Sequence, residues 1–137
     1  MRVVLDTNIL FSALISPHGK PEVIYRAWRS ARFEIVTSRL QLDEIRRASR
    51  YPKFRAVLQP AKVGTMVNNL QRAVILEELP IKIEADDPDD VFLLAMSWAS
   101  NADYLVTGDR RAGLLQRGYI ERTRIVIPAM FCAEVLR

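Results

Sequence analysis

Apolar and polar positions along this chain fall into blocks that predict strand followed by helix, several times over. Val3, Val4 and Leu5 make a short β-type run beginning at Arg2. Ile9, Leu10, Ala13 and Leu14 then recur at the spacing of one helix face, so a helix is expected from about Asn8. SPHGK interrupts the pattern, PEVIYRAWRSA reads as an amphipathic helix opened by Pro21, and FEIVT reads as a second strand. Ser38 has the chemistry of an N-cap for a third helix through SRLQLDEIRRASR. After a YPKF turn, the stretch from Pro60 to Arg72 is helical in pattern, and AVILE fits a third strand or a helix. DPDDVFLLAMSWAS is expected as a helix opened by acids and apolar on most of its circumference, hence buried. DYLVTGD reads as a strand ending in a turn, and TRIVIPAMFCAEVLR as a strand and a terminal helix. Such alternation argues for a largely parallel sheet covered by helices on both faces.

Composition narrows this picture. With 137 residues, half of them hydrophobic and a quarter charged, the chain suits one domain over residues 1–137. No apolar run approaches a membrane span, and Asp6 interrupts the first apolar segment too early for a signal peptide, so a cytoplasmic protein without membrane association is expected. One cysteine, Cys132, excludes an internal disulfide and a cysteine-cluster metal site, and it is read as a small core residue. The one histidine, His18, lies in a loop-like stretch and gives little support to a histidine base. A formal net charge of +4, carried mostly by arginine, fits a polyanionic partner and fits mere solubility equally well.

The acids carry more information. In open parallel sheets, ligands bind outside the carboxyl ends of the strands, where the strand order reverses. Asp6 would stand at one such end and Asp109 at another, after YLVT; the cluster ADDPDD, with Asp86, Asp87, Asp89 and Asp90, opens the intervening helix. Each acid has a structural explanation as a helix cap or a partner of a helix N-terminus. Glu44 is different. At roughly 100° per residue, Leu40, Gln41, Ile45 and Ala48 share one arc, and Glu44 falls between Leu40 and Ala48, facing inward. Several inward carboxylates without buried bases would repel one another, and a divalent cation relieves this. An all-oxygen ligand set suits Mg²⁺ or Mn²⁺ rather than zinc, and such sites favour phosphoryl chemistry.

LDTNIL, the run LQLDEIRR around Glu44, DPDD with Ala95 five positions after Asp90, and YLVTGD before a basic turn together resemble the ordered motifs of PIN domains. More narrowly, they resemble the bacterial and archaeal PIN proteins assigned as toxin components of toxin–antitoxin systems, relatives of VapC-type ribonucleases. The resemblance spans nearly the whole chain and implies a three-layer α/β/α sandwich on a mainly parallel sheet of about five strands. It also implies a Mg²⁺- or Mn²⁺-dependent endoribonuclease whose catalytic and metal-binding acids are Asp6, Glu44, Asp90 and Asp109, supported by Asn8, Thr107 and Asp87. RNA would be held by Arg46, Arg47, Arg50, Lys53 and Arg55, with Tyr51 and Phe54 interleaved among them but expected in the core, and by Arg110 and Arg111 after Asp109. The implied partners are an antitoxin protein and a second copy in a homodimer, to which Tyr25 and Trp28 contribute either surface or core. One departure stands out: PIN domains often carry a further acid two residues after the one matching Asp109, and here that position is Arg111.

Three other classes compete. A PIN fold that binds RNA or protein with little or no catalysis draws its support from Arg111. A haloacid-dehalogenase-like phosphohydrolase would want a second Asp two residues after Asp6, where this chain has Asn8. A response-regulator receiver would want a late lysine that the chain does not supply at the matching place.

Overall fold

The computed structural model describes residues 1–79, 88–108 and 113–137, without the side chains of residues 88 and 89. The elements run β1 (Arg2–Leu5), α1 (Thr7–Ile15), α2 (Lys20–Arg29), β2 (Glu34–Ser38), α3 (Arg39–Ala48), α4 (Pro52–Arg55), α5 (Pro60–Leu70), β3 (Val74–Leu76), α6 (Pro88–Ala99), β4 (Tyr104–Val106), α7 (Leu114–Arg117), β5 (Tyr119–Ile120), β6 (Thr123–Val126) and α8 (Pro128–Glu134). The YPKF segment forms the short helix α4 rather than a simple turn. AVILE resolves as a strand, because Val74, Ile75 and Leu76 add in parallel to the edge of β2. Neither α7 nor β5 was legible in the pattern, since elements of four and two residues are too short to show a period.

Among the described residues the sheet has six strands in the order β3-β2-β1-β4-β6-β5. The first five are parallel, and only β5 pairs antiparallel, with β6. Strands buried on both faces favour apolar residues at successive positions, as in Val3–Val4–Leu5 of β1 and Ile35–Val36 of β2, whose buried Thr37 and Ser38 are hydrogen-bonded instead. Period two then divides them between two cores. Val3, Leu5 and Ile35 pack with residues of α1, α2, α3, α5 and α8, while Val4, Val36, Leu105 and Ile125 pack with α6 and α7. The result is the expected α/β/α sandwich.

Proline and serine set several helix starts. Pro21, Pro52, Pro60 and Pro128 occupy the first turns of α2, α4, α5 and α8, where a missing N–H costs nothing. Ser38 Oγ caps α3 by accepting from Gln41 N–H at 3.1 Å, as expected. In α6, Leu93 to Ser97 are buried as expected but Trp98 is exposed, so this helix is sealed on the sheet side only. Tyr25 and Trp28 pack ring against ring at 5.6 Å within the larger core. Cys132 packs against the same core, where burial raises its thiol pKa above the ordinary range, opposed by the charge of Lys20.

Candidate functional site

Chain order places the site. From β1 the chain moves outward through β2 to β3, then returns to lay β4 on the other side of β1. The crevice beyond the carboxyl ends of β1 and β4 is therefore where the strand order reverses, the position at which open α/β sheets bind ligands. Asp6 follows β1 and Thr107 follows β4, and the two meet there: Thr107 Oγ1 donates to Asp6 Oδ2 at 2.8 Å.

Both residues are held from below by the sheet. Asp6 N–H donates to the Val106 carbonyl at 2.9 Å and Thr107 N–H to the Val126 carbonyl at 3.0 Å, continuing the ladder one residue past each strand. Asp6 is also the N-cap of α1: its Oδ1 accepts from Asn8 N–H at 3.2 Å, and its carbonyl accepts from Ile9 N–H. A buried carboxylate thus sits against the positive end of a helix and a buried hydroxyl, which offsets part of its desolvation. Asn8 supports Asp6 through its backbone while its side chain faces solvent.

Gln41 is the residue that sequence reasoning missed. It was placed on the inner arc of α3 and given no role, yet its buried side chain joins the ends of two strands. Nε2 donates to the Leu5 carbonyl at 2.7 Å and reaches Thr7 Oγ1 at 3.5 Å, while Oε1 accepts from Thr37 Oγ1 at 2.7 Å. A polar residue on an otherwise apolar arc was the available signal. Ser38 adds a contact from the end of β2 to α6, with its Oγ 3.2 Å from Met96 Sδ.

The remaining acids divide. Asp90, in the first turn of α6, is buried, with Oδ2 closed to solvent. Glu44 lies on α3 three residues beyond Gln41 and is half-buried. The arc expected to carry it inward is corrected in one respect: Leu40 is 57% exposed, and the buried arc is Gln41, Leu42, Ile45 and Ala48, with Glu44 on its margin. Arg39 and Leu40, the first two residues of α3, are both exposed, and the helix buries side chains only from Gln41 onward. Asp87, Asp109, Arg110 and Arg111 lie outside the described residues. Among the described residues, no three His, Cys, Asp or Glu side chains form a group that could hold a metal. The donors at Asp6, Glu44, Asp90 and Thr107 are all oxygen, which is the chemistry a hard cation takes.

Arg46, Arg47, Arg50 and Lys53 are exposed, with Arg46 paired to Asp43 at 3.5 Å. The two aromatics among them separate. Phe54 packs on Phe11 with ring centroids 4.7 Å apart, as expected of a core residue. Tyr51 is 46% exposed, a correction, because α4 turns it away from the helices beneath. His18 is exposed in the loop between α1 and α2. Among the described residues no helix is long and apolar enough to cross a membrane.

Comparison with known proteins agrees with this fold. No curated protein sequence matches the chain. Among solved structures, a chain of the crystal structure of VapBC2 from Rickettsia felis bound to a DNA fragment from their promoter is similar to it. The two superpose with a TM-score of 0.58 at 20% identity, over 93% of this chain and 98% of that one. A family model described as PIN domain matches residues 2–111, from the first residue of β1 through the segment after β4. The protein belongs to the PIN-domain family.

Proposed function

We propose that the protein is a metal-dependent endoribonuclease, cutting RNA phosphodiester bonds at the carboxyl ends of β1 and β4, and the toxin of a toxin–antitoxin pair. The observation that carries the reading is Asp6, a buried carboxylate fixed from both sides at the strand-order reversal of a PIN-family fold. Asp6, Glu44, Asp90 and Asp109 would hold Mg²⁺ or Mn²⁺, with Asp87 auxiliary and Asn8 and Thr107 orienting Asp6. The ion, when bound, lowers the pKa of a coordinated water and offsets charge on the phosphate oxygens. Thr107 keeps Oδ2 of Asp6 in one orientation, and Gln41 keeps the end of β1 at a fixed distance from α3. Arg46, Arg47, Arg50 and Lys53, on or just after α3, with Arg110 and Arg111, hold the RNA backbone.

A protein partner fits the likeness to VapBC2, and covering the acidic crevice would be its simplest means of control. A homodimer would use a surface other than Tyr25 and Trp28, which are taken up in the core. A second reading, a PIN fold that binds RNA without cutting it, has Arg111 in its favour. A phosphohydrolase is disfavoured, because Asn8 replaces the acid it needs and turns its side chain to solvent.

The deciding experiment is cleavage of a mixed pool of structured and single-stranded RNA by wild type and Asp6→Asn, with Mn²⁺ and with EDTA. Metal-dependent cutting that disappears in Asp6→Asn is expected. Equal cutting by both proteins would mark a contaminant, and RNA binding without cutting by wild type would put the binding-module reading first.

A further inference from the structure

A concave site lies within the helical layer. A cleft of about 850 Å³ lies between α3, α4 and α5, within the volume range of pockets that enclose small ligands. Arg46, Arg50 and Arg55 stand along it, and no carboxylate lines it among the described residues. Its floor is aliphatic, from Leu58, Val63 and Val67, and Asn68 adds an amide that both donates and accepts. Arg46 follows Glu44 by two residues on α3, about 3 Å along the axis and about 200° around it, so the cleft opens on the other side of that helix from Glu44.

Gly64 is the independent clue. It lies inside α5 and lines this cleft, yet a methyl group placed on it would meet nothing within 4 Å. Glycine inside a helix is unfavourable relative to alanine, and no neighbour in this protein requires its small size. Gly64 is exposed, so a larger side chain there would project into open space beside the cleft.

We infer that this cleft is an RNA subsite that seats an unpaired nucleotide of the bound strand away from the acidic crevice. The proposal rests on the ribonuclease reading above. Arg46, Arg50 and Arg55 hold the phosphates, the base lies over Leu58, Val63 and Val67 with a guanidinium plane against it, and Asn68 meets the base edge. Gly64 lets the sugar and base approach the α5 backbone. Charge decides in favour of a polyanion, and the unpaired base explains why a phosphate-binding edge carries an apolar floor.

The test is binding of a fluorescently labelled single-stranded RNA oligomer in EDTA, so that cleavage plays no part. Gly64→Leu fills the cleft from a position with open space. It is expected to weaken binding on the order of tenfold, the effect of losing one seated base, with a Tm equal to or above wild type. Arg55→Ala is expected to weaken binding and to lower the slope of log K against log salt by about 0.7, the value for one phosphate contact on a single strand. Arg29→Ala, which removes the same charge from α2, is expected to bind as wild type. Wild-type affinity in folded Gly64→Leu and Arg55→Ala would overturn the subsite while leaving the nuclease reading untouched. Loss of cleavage with these binding differences intact would overturn the nuclease reading alone. Absence of RNA binding by wild type, with an acidic peptide bound instead, would overturn the subsite in favour of a protein-docking groove.

Discussion

Replacing Gln41 with leucine removes a side chain that links the carboxyl ends of β1 and β2 and changes the packed volume little. Two buried groups lose their partner, the Leu5 carbonyl and the Thr37 hydroxyl, each bonded at 2.7 Å in the native protein. A buried polar group left unsatisfied costs about 1–3 kcal/mol, so Gln41→Leu is expected to lose about 2–5 kcal/mol, allowing for some relaxation. Against a total stability of about 5–15 kcal/mol this is a large fraction. In urea, with m near 2 kcal/mol/M, the midpoint falls by about 1–2.5 M. Thr37→Val tests the attribution. If the hydroxyl and amide act as a pair, the double variant loses less than the two single changes together, with a coupling of about 0.5–3 kcal/mol. A loss below about 1 kcal/mol for Gln41→Leu, or strict additivity with Thr37→Val, would refute the claim that Gln41 fixes the strand ends. The metal site we propose depends on the same claim, because Asp6 directly follows the Leu5 carbonyl that Gln41 holds.

Other consequences are checkable separately. Thr107→Val keeps the shape of a fully buried side chain but removes the hydroxyl on Asp6 Oδ2; apparent Mn²⁺ affinity in the cleavage assay is expected to fall about 10–100-fold, and an unchanged metal titration would reduce Thr107 to a structural role. Phe131 is fully buried, stacked on Tyr104 at 5.5 Å and edge-on to Phe33 at 5.3 Å, so Phe131→Ala should cost about 3–5 kcal/mol in chemical denaturation; a cost under 1 kcal/mol would show that α8 is not part of the cooperative core. Burial raises the Asp103 carboxyl pKa, but the Arg2 N–H and the Arg122 guanidinium outweigh it and hold the pKa below the ordinary carboxylate range. Its contribution is thus present above the ordinary carboxylate pKa and lost as pH falls through the lowered value. Asp103→Asn should lower neutral-pH stability by less than about 1 kcal/mol, the pair being screened by solvent, and should reduce the decline of Tm on acidification; an unchanged acid profile would show that Asp103 does not contribute.

The sequence by itself determined the strands β1, β2, β4 and β6 and the helices α1, α2, α3, α5, α6 and α8. Each is an apolar run or a 3.6-residue period bounded by a cap or a proline, and those signals act locally through backbone geometry and burial. It also determined that Asp6 would end a buried strand, since a carboxylate directly after Val3, Val4 and Leu5 has little freedom to be elsewhere. Family membership was legible for the same reason: the motifs sit at element ends, where spacing is preserved by the elements themselves. Tertiary structure decided what meets what. That Thr107 lies beside Asp6, 101 positions away, follows from β4 pairing with β1 and not with β3. That Leu40 faces solvent, and that Gln41 turns from one more residue on a helix arc into the tie between two strands, depends on how α3 lies over the sheet. The cleft on α5 belongs to this second kind, for a helix period records which face is buried against this chain and carries no mark of the concave surface that three helices enclose together.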